Sequence, residues 1–115
     1  MTRTVTIALL VFSVAACAAP QSNEVTSASS LSEDGREIAE AQCSGCHAVG
    51  LYGESPNPAA PTFRTVLSRY HADVLREELT EGIRVTHPMP QFHFNPQGTD
   101  ALVAYLQSIQ QTAPQ

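Results

Sequence analysis

The sequence predicts an all-α domain, and three observations carry the prediction. No strand pattern appears along the chain. Leu102, Val103, Tyr105, Leu106 and Ile109 recur at helical spacing near the C-terminus. Helix punctuation frames the other candidate segments, with Gly82 as a stop signal and Asn95-Pro96 as a start. The chain has 115 residues, enough for one domain rather than two.

The elements follow in chain order. Met1-Thr2-Arg3 is a short positive start, and residues 5–16 are an apolar run. That run is shorter than the ~20 apolar residues a permanent membrane span requires. Residues 1–16 therefore read as a secretory signal, removed from the mature protein, which places the remainder facing the periplasm. Val14-Ala15-Ala16-Cys17 resembles the lipobox of bacterial lipoproteins, in which the cysteine becomes the lipid-bearing first residue. That resemblance implies several acyl chains on Cys17 and a firm membrane anchor. The alternative, cleavage at a small-x-small site such as Ala16-Cys17-Ala18, gives a soluble exported protein.

Residues 17–31 are rich in Ser, Ala, Gln and Asn and read as a flexible tether. The folded domain is expected over residues 32–112. Ser32 is a good N-cap, and Glu33 and Asp34 suit a helix N-terminus, so a first helix should run from there into Cys43. Pro56, Pro58 and Pro61, with Gly53 and Asn57, forbid regular structure across residues 52–61. A short helix is expected over residues 62–70. Another should cover residues 72–81, with Val74, Leu75 and Leu79 on its inner side and Gly82 ending it. Residues 83–94 carry Pro88 and Pro90 and should be irregular. Asn95 then caps a last helix that begins at Pro96.

Chemistry concentrates in Cys43-Ser44-Gly45-Cys46-His47, the C-x-x-C-H form that attaches a c-type haem covalently. Two thiols three residues apart on a helical turn face the same way, and each can add across one vinyl group of the macrocycle. The next residue, His47, is then carried under the iron as proximal ligand. A thioredoxin-like dithiol would need a βαβ setting, which is missing. A zinc site would need four ligands, and neither a second C-x-x-C nor an H-x-x-x-H follows. About 80 residues make a small core, and domains of that size often need a staple, which a covalently held macrocycle supplies.

Met89 is the only methionine beyond Met1. It lies in His87-Pro88-Met89-Pro90, outside any helical stripe, whereas a methionine that merely fills core space would sit on one. The prolines fix local φ angles and push His87 and Met89 toward extended geometry. A stiff loop of this kind suits a thioether held at a fixed distance from iron, so Met89 is the expected second axial ligand. His87 and His93 are the competitors, through a bis-histidine site; His71 is expected on the surface.

With these features in place the sequence resembles the class I c-type cytochromes, specifically small bacterial ones with one haem, over residues 32–110. The resemblance rests on the pentad, on Ala60-Pro61-Thr62-Phe63, on His87-Pro88-Met89-Pro90-Gln91-Phe92, and on Ala104-Tyr105-Leu106. It implies that Gly35 lets the first helix cross closely over Tyr105 of the last, with Leu102 one turn earlier. It also implies that a proline carbonyl accepts the second N–H of the proximal histidine, and Pro61 is the best match, ahead of Pro56 and Pro58. Arg64, Arg69 and Arg84 are candidates for pairing a haem propionate.

All six basic side chains apart from histidine are arginines, against 11 carboxylates. Loss of Arg3 with the signal leaves five against eleven, a net −6. That balance argues against nucleic acid or an anionic membrane surface as partner. A redox protein with a basic docking face is the partner the charge favours. No nucleophile–base pair or carboxylate dyad stands out, so neither catalysis nor a small-molecule substrate is expected. The expected function is single-electron transfer. The competing roles are a haem subunit fixed in a membrane oxidase or dehydrogenase complex, and a peroxidase or gas sensor whose methionine ligand leaves.

Overall fold

The computed structural model describes residues 22–83 and 89–111. Four helices follow one another: α1 (Ser22–Gln42), α2 (Phe63–Val66), α3 (Ala72–Glu81) and α4 (Pro96–Ser108). There is no strand among the described residues. The signal segment, Cys17, Arg84, His87 and Pro88 lie outside them.

α1 begins ten residues before the expected cap at Ser32. This corrects the coil expected for residues 22–31 and makes Ser32 an interior helical position. Once the turns beyond residue 31 are anchored by packing, each further residue is added at low cost, because nucleation is the expensive step. Neither proline nor glycine interrupts residues 22–34. Ser32 serves elsewhere, donating its hydroxyl to Ser108 Oγ at 3.0 Å and tying α1 to the end of α4.

The α1–α4 crossing is the centre of the core. A Cβ on Gly35 would lie 1.9 Å from the Ala101 carbonyl oxygen and 2.8 Å from Tyr105 Cβ. The two backbones thus meet where only glycine fits, and Tyr105 lies alongside. Ala39, Leu102, Val103, Tyr105, Leu106 and Ile109 are buried there. Every member of the predicted C-terminal stripe is in the core, as period 3.6 requires of a helix with one face inside.

α2 is one turn, shorter than the helix expected over residues 62–70. The chain stays wound beyond it, with Ser68 N–H donating to Thr65 O and both Arg69 and Tyr70 N–H groups to Val66 O. Phe63 and Val66 are buried. Gln110 fastens this segment to the C-terminus: its amide donates to Phe63 O at 2.8 Å and accepts from Leu67 N at 3.1 Å.

α3 has the predicted bounds. Gly82 ends it at φ +106, a conformation in which a Cβ is strained, with its N–H on Glu78 O. Leu79 is buried and Leu75 half-buried, but Val74 is 46% exposed. Val74 therefore faces outward, a correction to its expected inner position: it lies only one residue, about 100° of helical rotation, from Leu75. Arg76 bridges Asp73 and, across to α4, Asp100 at 2.8 Å. At the start of α4, Asn95 accepts from Gly98 N at 2.8 Å with Pro96 in the first turn, the expected cap.

Candidate haem-binding site

The cysteine pentad leaves the C-terminus of α1 as a tight turn. Cys43 N–H still donates to Ala39 O at 2.9 Å, and the Cys46 and His47 N–H groups then fold back onto Cys43 O at 3.1 and 2.9 Å. That winding brings both thiols and the imidazole within one turn of backbone. Neither Cys43 nor Cys46 forms a disulfide. Cys43 is half-buried and Cys46 exposed. Burial pushes the Cys43 thiol up to about 11, so it stays protonated at neutral pH.

His47 is 7% exposed. Its Nδ1 lies 2.7 Å from the Pro61 carbonyl oxygen. A carbonyl can only accept, so Nδ1 carries the proton, and in the neutral ring Nε2 keeps its lone pair. The ring is also flanked by Phe63, with centroids 5.1 Å apart. Backbone bonds hold the histidine's neighbours as well: Asn57 N donates to Cys46 O, Phe63 N donates to Ala48 O, and Ala48 N donates to Ser55 Oγ at 3.0 Å. The proline-rich interval between His47 and Pro61 is therefore a folded flap pressed against residues 46–48.

Cys43, Cys46, His47, Pro61 and Met89, all singled out from the sequence, line one cleft. Its walls come from α2, α3 and α4 through Phe63, Val66, Leu75, Leu79, Leu102 and Leu106. Met89 is half-buried. The distal segment closes through Phe94, whose N–H donates to Leu79 O at 3.2 Å, and through the stacked Phe92 and Phe94 rings at 5.7 Å. His71 is exposed at the cap position of α3. His93 is exposed too, and neither it nor His71 is part of the cleft lining. Arg64 donates to Gly53 O at 2.7 Å and sits 3.8 Å from Glu54, and Arg69 is exposed.

This donor set suits a large, flat, apolar macrocycle carrying iron. Apolar walls supply the burial, two unpaired thiols lie on the lining, and a histidine nitrogen with a free lone pair and a thioether lie there too. Three supporting contacts had no counterpart in the sequence reading. They are the Ser55 hydroxyl on Ala48, the Gln110 clamp, and the Tyr105 hydroxyl, which donates to Val49 O at 2.9 Å. Tyr105 was legible as a packing ring, but its hydrogen bond depends on where residue 49 returns in space.

No curated protein and no solved structure matches this chain. The family model for cytochrome c matches residues 32–110. With that match covering most of its length, the chain belongs to the cytochrome c family, whose covalently bound haem c transfers electrons.

Proposed function

We propose that this chain is a periplasm-facing single-electron carrier holding one haem c through Cys43 and Cys46, with His47 and Met89 as axial ligands. The observation that carries the reading is His47: buried on the cleft wall, its Nδ1–H spent on Pro61 O and its Nε2 left to donate. Bound haem supplies the one-electron Fe(III)/Fe(II) couple. The protein does the rest. Pro61 fixes the imidazole and strengthens its donation. The apolar walls exclude water, and Met89 occupies the position at which a substrate would otherwise bind. Two strong protein ligands favour electron transfer over transformation of a substrate.

Lipid at Cys17 would keep the carrier at a membrane, and the net −6 of the mature chain favours a redox partner with a basic face. A reduced-minus-oxidised spectrum together with the intact mass of the mature protein tests the reading. A c-type spectrum, a Met–iron charge-transfer band and a mass showing one haem plus acyl chains are expected; a protein without haem would sink it. If Cys17→Ser stays membrane-bound in high salt, lipid at Cys17 is not the anchor.

One observation favours a second reading. Among the described residues, Met89–Phe94 makes a single backbone hydrogen bond to the rest of the fold. A methionine so lightly held would, with haem bound, leave room for a gas or a peroxide. Rapid carbon monoxide binding to the reduced protein at neutral pH would select that role, and no binding would select the carrier.

A further inference from the structure

The flap between His47 and Pro61 is short of backbone donors. Pro56, Pro58 and Pro61 have no N–H. The Ala59 and Ala60 N–H groups are taken by Asn57 itself, through Oδ1 at 3.0 Å and the backbone carbonyl at 2.9 Å. Asn57 N–H reaches Cys46 O at 3.1 Å. Ala48, the residue directly after His47, instead faces the half-buried Ser55 hydroxyl. It accepts from Ala48 N–H at 3.0 Å, while the Ala48 carbonyl accepts from Phe63 N–H at 2.9 Å. Ala48 is buried, so its N–H has no water to turn to if that acceptor is lost. Among the described residues, Ser55 is the only flap side chain that hydrogen-bonds to residues 46–48.

We propose that Ser55 is a positioning residue for His47. By fixing the backbone just after the histidine to the flap that carries the Pro61 carbonyl, it sets the 2.7 Å Nδ1–H···O=C bond and through it the donor strength of Nε2. This rests on His47 being an axial ligand. With the tie removed, the flap recedes from residue 48, the Nδ1–H bond lengthens, and the imidazole becomes less electron-rich. Fe(III) is then less stabilised and the midpoint potential rises.

The test compares Ser55→Val and Ser55→Thr in the haem-loaded protein, because the two side chains match in shape and only threonine has the hydroxyl. Ser55→Val should raise the potential and speed exchange of the His47 Nδ1 proton by about tenfold, the scale of one lost hydrogen bond. Ser55→Thr should restore both. Equal potentials and equal Nδ1 proton exchange in the two variants, whatever their melting temperatures, would make Ser55 a packing residue only and overturn the proposal. If neither variant accumulates, hydrogen exchange of the unsubstituted protein decides. The Ala48 amide and the His47 Nδ1 proton should then exchange with matched protection, and an Ala48 amide that opens independently overturns the proposal. Unsubstituted protein without a c-type spectrum would instead overturn the haem reading.

Discussion

The two sides of the cleft are built on different terms. On the histidine side, residues 46–49 are tied to the flap, to α2 and to α4 by bonds at Cys46 O, His47 Nδ1, both backbone groups of Ala48, and Val49 O. On the methionine side, residues 89–94 show one backbone bond among the described residues, from Phe94 to Leu79, and a stacked pair of rings. The difference teaches that the histidine is oriented by the protein in advance. Several bonds would have to break together to move it. Met89 is held instead by the apolar space it fills beside Pro90, so in the proposed role it would be the ligand more readily displaced.

The largest expected effect abolishes the contrast, because both sides rest on the α1–α4 crossing. Gly35→Ala places a Cβ 1.9 Å from Ala101 O, and the helices must separate. Overpacking against backbone should cost about 3 kcal/mol or more, read as a lower urea midpoint of the haem-loaded protein. An unchanged midpoint would mean the crossing is not the common support. Next, the Cys43→Ser/Cys46→Ser apoprotein should lose its cooperative, native-like thermal transition, since a domain of this size leans on its staple. A sharp transition in that protein would show that the hydrogen-bonded flap and the crossing suffice alone.

Met89→Ala sharpens the contrast by loosening one side only. The Met–iron charge-transfer band should vanish and carbon monoxide binding should appear, while His93→Ala keeps the band. For a half-buried methionine the stability loss should be about 1–2 kcal/mol, below that of a fully buried one. Wholesale unfolding would show the distal segment to be as integral as the flap. The smallest effect belongs to Tyr105→Phe, which removes the donor to Val49 O and keeps the ring at the crossing. About 1 kcal/mol is expected, with the haem spectrum unaltered. A shifted spectrum would extend the histidine's support as far as α4.

Legibility followed the physics of each element. α3 has its predicted start and stop and α4 its predicted start, because glycine and the Asn-Pro pair act through local backbone geometry. The Ser32 cap misled for the converse reason: a serine can cap a helix or ride within one, and packing chose the latter. Val74 differs from Leu75 by one step around the helix, which composition cannot resolve. Ser55 and Gln110 look like ordinary polar loop residues in the chain, and their roles exist only where Ala48, Phe63 and Leu67 come back to meet them.

By itself, then, the sequence determined what is local in this protein: the thiol spacing and the histidine after it, the proline-flanked methionine and the helix punctuation. Spacing and φ preference act within a few residues, so they can be read along the chain. Only the tertiary structure decided which carbonyl meets Nδ1 of His47, which hydroxyl holds the residue beside it, and that among the described residues the histidine side is the more closely laced. Those are contacts between segments remote in sequence, and their geometry comes into being only when the core closes.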